Sequence, residues 1–145
     1  MSELFDKNAM IAHMNKDTFA VKTTGMEIDD VRPGYARIRL RVEDRHLNAI
    51  GITQGGVLFT LADFALAVAS NTVEGVESVG IEGSISFLRP SKTGDVLTAE
   101  ATEIARTRSL STVEVSLTDQ AGTLLARFHG RAFLRKVARL PESPH

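Results

Sequence analysis

The segment that decides the fold runs from His46 to Val73, HLNAIGITQGGVLFTLADFALAVASNTV, and its only formally charged side chain is that of Asp63. Apolar residues lie almost all the way round the helical wheel of residues 57–69, which predicts a nearly fully buried helix. The segment is long enough to cross a bilayer, but a carboxylate near its middle costs about 2.5–3.5 kcal/mol on insertion scales. We therefore expect a sheet to wrap this helix within one soluble domain.

A lone carboxylate in an apolar helix has two interpretations. Burying it is costly unless it is paired, hydrogen-bonded or protonated. Asp63 is therefore a candidate general base or nucleophile with a perturbed pKa in a cleft. Alternatively, it bonds to backbone amides or faces solvent on a narrow exposed stripe of the helix.

Two glycines, Gly55 and Gly56, stand at the predicted first turn of the helix. Backbone N–H groups there lack helical partners, and the helix dipole is positive. The pair fits a tight turn into the helix, and it also fits close approach of a ligand oxygen to the backbone. Together with Asp63, it predicts an oxyanion donor beside a base.

The flanking segments alternate with the period of a strand. Apolar residues alternate with three arginines over residues 36–42, which predicts a strand with the arginines on a solvated face or, alternatively, in a phosphate-binding stripe. The Pro33-Gly34 turn predicts an earlier strand over residues 20–29. After the helix, four strands are predicted in an antiparallel meander, over residues 78–89, 94–106, 109–118 and 123–136.

The ends of the chain complete a single predicted domain over residues 1–137. Residues 1–16 have helical spacing of apolar side chains and predict a short amphipathic covering helix, with the apolar residues Leu4, Phe5, Ala9, Met10 and Met14. Residues 138–145 contain two prolines and predict a frayed tail.

Composition narrows the function classes. The 145 residues carry 17 basic and 18 acidic side chains, so we expect neither nucleic acid nor a membrane as partner. The absence of cysteine excludes disulfides, thiolate metal sites and cysteine nucleophiles. The four histidines are scattered without metal-ligand spacing, so no metal is expected. No signal-peptide pattern occurs near the first residues, and a cytoplasmic location is expected.

The chain resembles the PaaI-like acyl-CoA thioesterases of the hotdog fold, in the 4-hydroxybenzoyl-CoA thioesterase superfamily. The resemblance rests on three motifs: His46-Leu47-Asn48 with Gly51, the run from Gln54 to Asp63 (QGGVLFTLAD), and Phe87-Leu88-Arg89-Pro90 followed by Gly94-Asp95. It implies an α+β hotdog fold, in which an antiparallel sheet of five to six strands wraps a long central helix.

The resemblance also implies a site. Asp63 resembles the carboxylate that attacks the thioester or activates water, Gly55 the residue whose N–H polarises the thioester carbonyl, and Asn48 the side chain that positions carbonyl or water. His46, Gln54, Gly56 and Pro90 join the implied substrate-binding set. Arg89, Lys92, Arg106 and Arg108 are candidates for the CoA phosphates or, alternatively, ordinary surface charges. The resemblance implies a site at a dimer interface, with the carboxylate from one subunit and the carbonyl-binding helix end from the other, in a homodimer or a homotetramer. Coenzyme A is implied only as part of the substrate, with no other cofactor.

Two positions depart from the family pattern. Gln54 stands where the family usually has histidine. Glutamine forms hydrogen bonds but, unlike histidine, does not titrate near neutral pH. Gly80 stands where some relatives carry a hydroxyl that holds water.

The expected function is hydrolysis of an aromatic or medium-chain acyl-CoA to free acid and CoA. The alternatives are a non-catalytic acyl-CoA binding or sensing module and, less favoured, a hotdog hydratase or dehydratase that uses His46. The acyl group itself stays open, because the directions of the candidate pocket residues, Phe59, Phe64, Leu66 and Phe87, do not follow from the sequence.

Overall fold

The computed structural model describes residues 5–73 and 75–137 as one sheet and two α-helices. The helices are α1 (Lys7–Met14) and α2 (Gly55–Ser70), and the strands are β1 (Glu27–Arg32), β2 (Tyr35–Arg41), β3 (Val76–Phe87), β4 (Val96–Arg106), β5 (Leu110–Thr118) and β6 (Leu124–Lys136). A π-helical turn (Thr18–Thr23) precedes β1, and a 3₁₀ turn (Asp44–His46) follows β2. The predicted tail, residues 138–145, and Leu4 of the predicted first helix lie outside the described residues.

The sheet wraps α2, as predicted. All six strands pair antiparallel in the order β1-β2-β4-β5-β6-β3, and α2 contacts every one of them. Successive side chains of a strand point to opposite faces of the sheet. In β2 the arginines therefore point away from the core, while Ala36, Ile38 and Leu40 point into it. The predicted strand over residues 36–42 and its solvated outer face are thereby confirmed.

The order of the strands differs from the predicted meander. β4, β5 and β6 are consecutive neighbours, but β3 pairs with β6 at the edge of the sheet, and β4 lies beside β2. Residues 88–95 connect β3 to β4 and cross the end of the sheet. There, Ser91 O accepts a hydrogen bond from Thr53 N, and Val42 O accepts one from Gly94 N. These hydrogen bonds hold the crossing segment against the start of α2 and the end of β2. The chain therefore enters β4 beside β2.

The first predicted strand is also displaced. Residues 18–23 form the π-helical turn, and β1 begins only at Glu27. The Asp17 side chain accepts from Ala20 N and starts that turn, while Thr24 N and Met26 N continue it by donating to Phe19 O and Ala20 O. A side-chain cap thus holds residues 18–23 in a helical turn, where a strand was expected to lead into the Pro33-Gly34 turn. The turn at Pro33-Gly34 is as predicted, with Gly34 at a φ of 72°.

Helix α1 covers the outside of the core. Its apolar side chains Met10, Ile11 and Met14 are half-buried and pack with Phe5 against the core cluster. A covering helix is thus found within the predicted stretch, but it spans only Lys7–Met14, none of its residues is fully buried, and Ala9 of the predicted apolar face is exposed, so it is less amphipathic than the spacing predicts. No helix among them has the length and apolarity needed to span a membrane.

Candidate active site

Asp63 lies on an exposed stripe of α2. The helix is buried against the sheet on most of its surface, but Gly56, Phe59 and Asp63 are exposed, spaced three and four residues apart. The expectation of a nearly fully buried helix therefore holds for most of its surface, and Asp63 lies on the narrow solvent-facing stripe that was the alternative for this side chain. This stripe faces edge strand β3, where a Cβ at Gly80 would lie 3.5 Å from Asp63 Oδ1.

The electrostatic surroundings of Asp63 favour its neutral form. Partial desolvation by the protein atoms around it raises the pKa of the carboxyl, and the negative charge of Asp17 raises it further. The structure thus gives Asp63 a perturbed pKa at an accessible position, the combination expected of a general base or nucleophile.

The start of α2 forms the second part of the site. Gly55 is the first helical residue, and its N–H donates to Oε1 of the preceding residue, Gln54, at 3.0 Å. The ring of Phe87 covers Gly55 so closely that a Cβ there would lie 3.0 Å from Cζ. Gly56 is open by contrast, with only Gln54 Cγ within 4 Å of its Cβ position.

The loop before the helix holds Asn48 beside this start. Asn48 is half-buried, and its Oδ1 accepts from Ile50 N at 3.0 Å and Ile52 N at 3.2 Å. The side-chain oxygen is therefore committed to the loop, which leaves the amide NH₂ as the group that Asn48 can offer to a ligand.

His46 has both ring nitrogens in hydrogen bonds within the chain. It is buried, its Nδ1 accepts from Glu43 N at 2.9 Å, and its Nε2 lies 2.8 Å from Thr24 O. Since Nδ1 accepts, Nε2 must carry the proton and donate to the carbonyl, which fixes a neutral tautomer. This geometry gives His46 a structural role in place of the implied substrate contact, and it provides no free nitrogen for hydratase chemistry.

The implied phosphate ligands lie at two opposite ends of α2. Arg89, Pro90 and Lys92 are exposed in the segment that crosses beside the helix start. Arg106 instead lies beside the helix end, with Nη1 2.7 Å from Glu103 Oε2 and 3.5 Å from Ser70 O, and Arg108 is exposed in the turn that follows. One chain therefore does not bring these cations together.

Asp63 and Gly55 are also apart within one chain. Eight residues along a helix correspond to about 12 Å of axial rise, whereas a base and an oxyanion donor acting on one carbonyl must each lie about 3 Å from the reacting atoms. The expectation that one helix places the donor beside the base is thus wrong for a single chain. A cavity of about 520 Å³ lies between Arg32, Tyr35 and Glu103 at the far end of α2 and contains neither residue.

Two features of the site had no signal in the sequence. The hydrogen bond between Gln54 and Gly55 N–H depends on a side-chain rotamer. The charge of Asp17 acts on Asp63 from the cap of the π-helical turn, which was not predicted. Among the described residues, no group of three or more histidine or carboxylate side chains could hold a metal ion.

A long helix wrapped by one antiparallel sheet of six strands is the architecture of a hotdog-fold protein. Residues 50–132 match the family model of the thioesterase superfamily. The chain belongs to that superfamily.

Individual relatives place the chain among its PaaI-like members. Acyl-coenzyme A thioesterase PaaI of Escherichia coli is 31% identical over 119 residues, which are 82% of this chain and 84% of the relative. The structure of the E. coli PaaI protein from the phenylacetic acid degradation operon superimposes with a TM-score of 0.84 and 30% identity, covering 94% of this chain and 98% of that one. The hotdog fold and the PaaI-like resemblance are confirmed.

A more distant structure carries a ligand. A thioesterase protein of Streptococcus pneumoniae, solved with coenzyme A, superimposes with a TM-score of 0.79 and 25% identity, covering 87% of this chain and 97% of that chain. Coenzyme A is thus a ligand of a protein with this fold.

Proposed function

We infer that this chain is an acyl-CoA thioesterase that hydrolyses the thioester to free acid and CoA. The observation that carries this function is the position of Asp63, an accessible carboxylate of raised pKa on the α2 stripe beside Gly80. The related E. coli protein is an acyl-coenzyme A thioesterase, PaaI, which supports acyl-CoA as the substrate class.

The chemistry follows from a carboxylate and a backbone donor. The ionised Asp63 either attacks the thioester carbonyl carbon, giving an anhydride that water then cleaves, or removes a proton from water that attacks the same carbon. In both routes a C–O bond forms, the C–S bond breaks, and the sulfur leaves as CoA thiolate, which takes up a proton. The Gly55 N–H, at the positive end of α2, stabilises the negative charge on the carbonyl oxygen. This mechanism uses no metal or redox cofactor, and a chelator should leave the rate unchanged.

The acyl group is aromatic or medium in length. Phe64 and Leu66 are buried in the core, whereas Phe59, on the stripe, is 37% exposed and Phe87, at the end of β3, is 55% exposed. These two rings offer apolar surface next to Gly55 and Asp63, which suits an aromatic or medium-length apolar acyl chain.

A substrate panel tests the function directly. Purified protein is mixed with phenylacetyl-, benzoyl-, acetyl-, octanoyl- and palmitoyl-CoA, and the free thiol is followed with a thiol reagent. We expect the aromatic and octanoyl thioesters to give the highest kcat/KM. Binding of these thioesters without thiol release would contradict the proposal and would instead identify a sensing module.

The functional unit is a homodimer, because one chain does not complete the site. A partner that runs antiparallel along α2 would place its Gly55 near the Asp63 of this chain, closing the gap of about 12 Å along one helix. Each of the two sites would then take its carboxylate from one subunit and its N–H donor from the other. Two such dimers can assemble into the homotetramer that the resemblance implies.

Strand β3 supplies the surface for this pairing. It pairs with β6 on one side and is an edge strand of the sheet, yet Val79 is 50% and Ile81 57% exposed. An apolar edge strand is prone to pair with another chain. Asp63 lies against Gly80 and Gly55 against Phe87, so a two-fold axis near Gly83 would exchange these two ends.

The same two-fold axis explains why the four basic candidates for the CoA phosphates lie at opposite ends of α2 in one chain. With the β3 strands antiparallel, Arg89 and Lys92 of one subunit approach the end of α2 where the other subunit has Arg106 and Arg108. The four candidates for the CoA phosphates would then share one end of the dimer. A cytoplasmic location suits this function and a chain without cysteine.

Mixed dimers test whether the site is shared. Asp63→Asn removes the carboxylate and Gly55→Pro removes the N–H, so each homodimer should be inactive. When the two variants are unfolded and refolded together, half of the dimers are mixed, and each mixed dimer regains one wild-type site. Recovery of about one quarter of wild-type activity is expected for a two-fold symmetric enzyme.

The controls are each variant refolded alone and each refolded with wild type. A mixture no more active than the average of its two components would place both groups in the same chain and contradict the shared site.

A further inference from the structure

The N–H that the proposed function assigns to the substrate is occupied in the free chain. Gly55 N donates to Gln54 Oε1 at 3.0 Å. Helix caps are usually Asn, Asp, Ser, Thr or Gly, and their side chains accept from the second or third helical N–H. Gln54 differs on both counts, because it is a longer amide and its oxygen lies on the first N–H of α2.

We propose that the Gln54 side chain is a removable cap on the oxyanion donor, a statement that rests on the proposed function. Its amide oxygen is a neutral carbonyl acceptor, as is the thioester oxygen, and both compete for the same N–H. The thioester carbonyl must therefore displace Oε1 before Gly55 can polarise it.

The surroundings allow the cap to open. Gln54 is exposed, so its side chain can turn into solvent without disturbing the core. The backbone of Gln54 is held independently, since its N–H donates to His46 O and its carbonyl accepts from Val57 N. Opening therefore needs side-chain rotation alone, and the start of α2 keeps its shape.

The cap also affects the product. The free acid is an anion, and anions bind well to unpaired N–H groups at the positive end of a helix. A carboxylate left on Gly55 would block the next substrate. The neutral oxygen of Gln54 closes that position as the acid leaves, so the cap should weaken product inhibition at the cost of a higher KM.

Steady-state kinetics of Gln54→Ala test this balance. Because the cap no longer competes for the Gly55 N–H, KM should fall about two- to tenfold, the range expected for one neutral hydrogen bond. The inhibition constant of the free acid product should fall by a similar factor. A kcat that falls while KM is unchanged or higher would make Gln54 an ordinary contributor to the reaction and overturn the cap.

Gln54→Glu tests the same contact in the opposite direction. A carboxylate forms a charge-assisted bond to the N–H at the positive helix end, and KM should rise by about tenfold. Ile50→Glu is the matched control: Ile50 is 79% exposed in the same loop, so the variant adds the same charge nearby without reaching Gly55 N. A KM in Gln54→Glu equal to that of the Ile50→Glu control would overturn the proposal.

Amide exchange of Gly55 provides a readout independent of catalysis. In ¹⁵N-labelled protein, the Gly55 N–H should exchange with solvent faster in Gln54→Ala than in wild type, and its proton resonance should shift. An unchanged resonance and exchange rate would show that the cap is not formed. Failure of the proposed function looks different: no acyl-CoA is hydrolysed, while the Gly55 exchange still accelerates in the variant.

Discussion

The Asp63→Asn variant is expected to lose acyl-CoA hydrolysis by about 10²–10⁴-fold in kcat, the range attributed to a positioned acid or base. Asparagine has nearly the shape of aspartate but can neither attack a carbonyl carbon as a carboxylate nor accept a proton from water at neutral pH. Thiol release from the best acyl-CoA of the panel measures the effect. Turnover close to wild type would contradict the assignment of Asp63.

The raised pKa of Asp63 gives this variant a second, independent readout. A carboxyl whose pKa is higher in the folded than in the unfolded state destabilises the fold once it ionises, above its ordinary value of 3.8. Asp63→Asn removes that cost, so its melting temperature should exceed that of wild type at pH 7. The difference should vanish below pH 3.8, where both states of the wild type are protonated. An inactive but stabilised variant separates loss of chemistry from loss of fold.

The pH dependence of the wild-type rate follows from the same shift. Because the ionised form reacts, kcat/KM should fall as acid protonates Asp63, with a midpoint above 3.8. Asp17→Asn is the matched control, since an amide oxygen can still accept from Ala20 N while the charge that raises the pKa of Asp63 is gone. Its midpoint should move to lower pH with the maximal rate retained.

The fold could be predicted from the sequence because its strongest patterns are local. The apolar run of α2 indicates a helix enclosed by other elements, and the alternation in β2 indicates which face meets the core. The predicted strands from β2 onward match the observed ones to within two residues. The pairing of β3 with β6 could not be predicted, because it depends on the path of residues 88–95 across the sheet end. Local patterns favour pairing of consecutive strands and are silent about such a crossing.

The candidate site was predictable in its residue types but not in its geometry. A lone aspartate and a glycine pair stand out in an apolar segment, and the rise of about 1.5 Å per residue of the predicted helix already sets them apart. The strand that faces Asp63 and the ring that covers Gly55 depend on long-range contacts with β3, which the sequence does not show. The exposure of Asp63 was hidden for a related reason. Phe59 and Ala67, which share its side of the helix, are as apolar as the residues that point into the core, so Asp63 is the one charged residue that could mark the outward stripe.

The Gly55→Pro variant is expected to lower kcat by about 10²–10³-fold, the usual effect of removing one oxyanion donor. Proline has no N–H, and it is well accommodated at the first position of a helix, where the N–H has no helical partner. The preceding residue, Gln54, already has φ −60° and ψ 135°, the extended conformation that proline requires of its neighbour. The melting temperature should therefore stay close to that of wild type.

Gly55→Ala distinguishes the effect of losing the N–H donor from the effect of adding a side chain at this position. Alanine keeps the N–H, and its Cβ meets the Phe87 ring at 3.0 Å, a contact that the half-exposed ring can relieve by turning. Gly55→Ala should keep most of its kcat, whereas Gly55→Pro should lose it, although both substitutions press on the same ring. Equal loss in the two variants would assign the effect to Phe87 and crowding. A large loss confined to proline would establish the Gly55 N–H as the group that stabilises the reacting carbonyl oxygen.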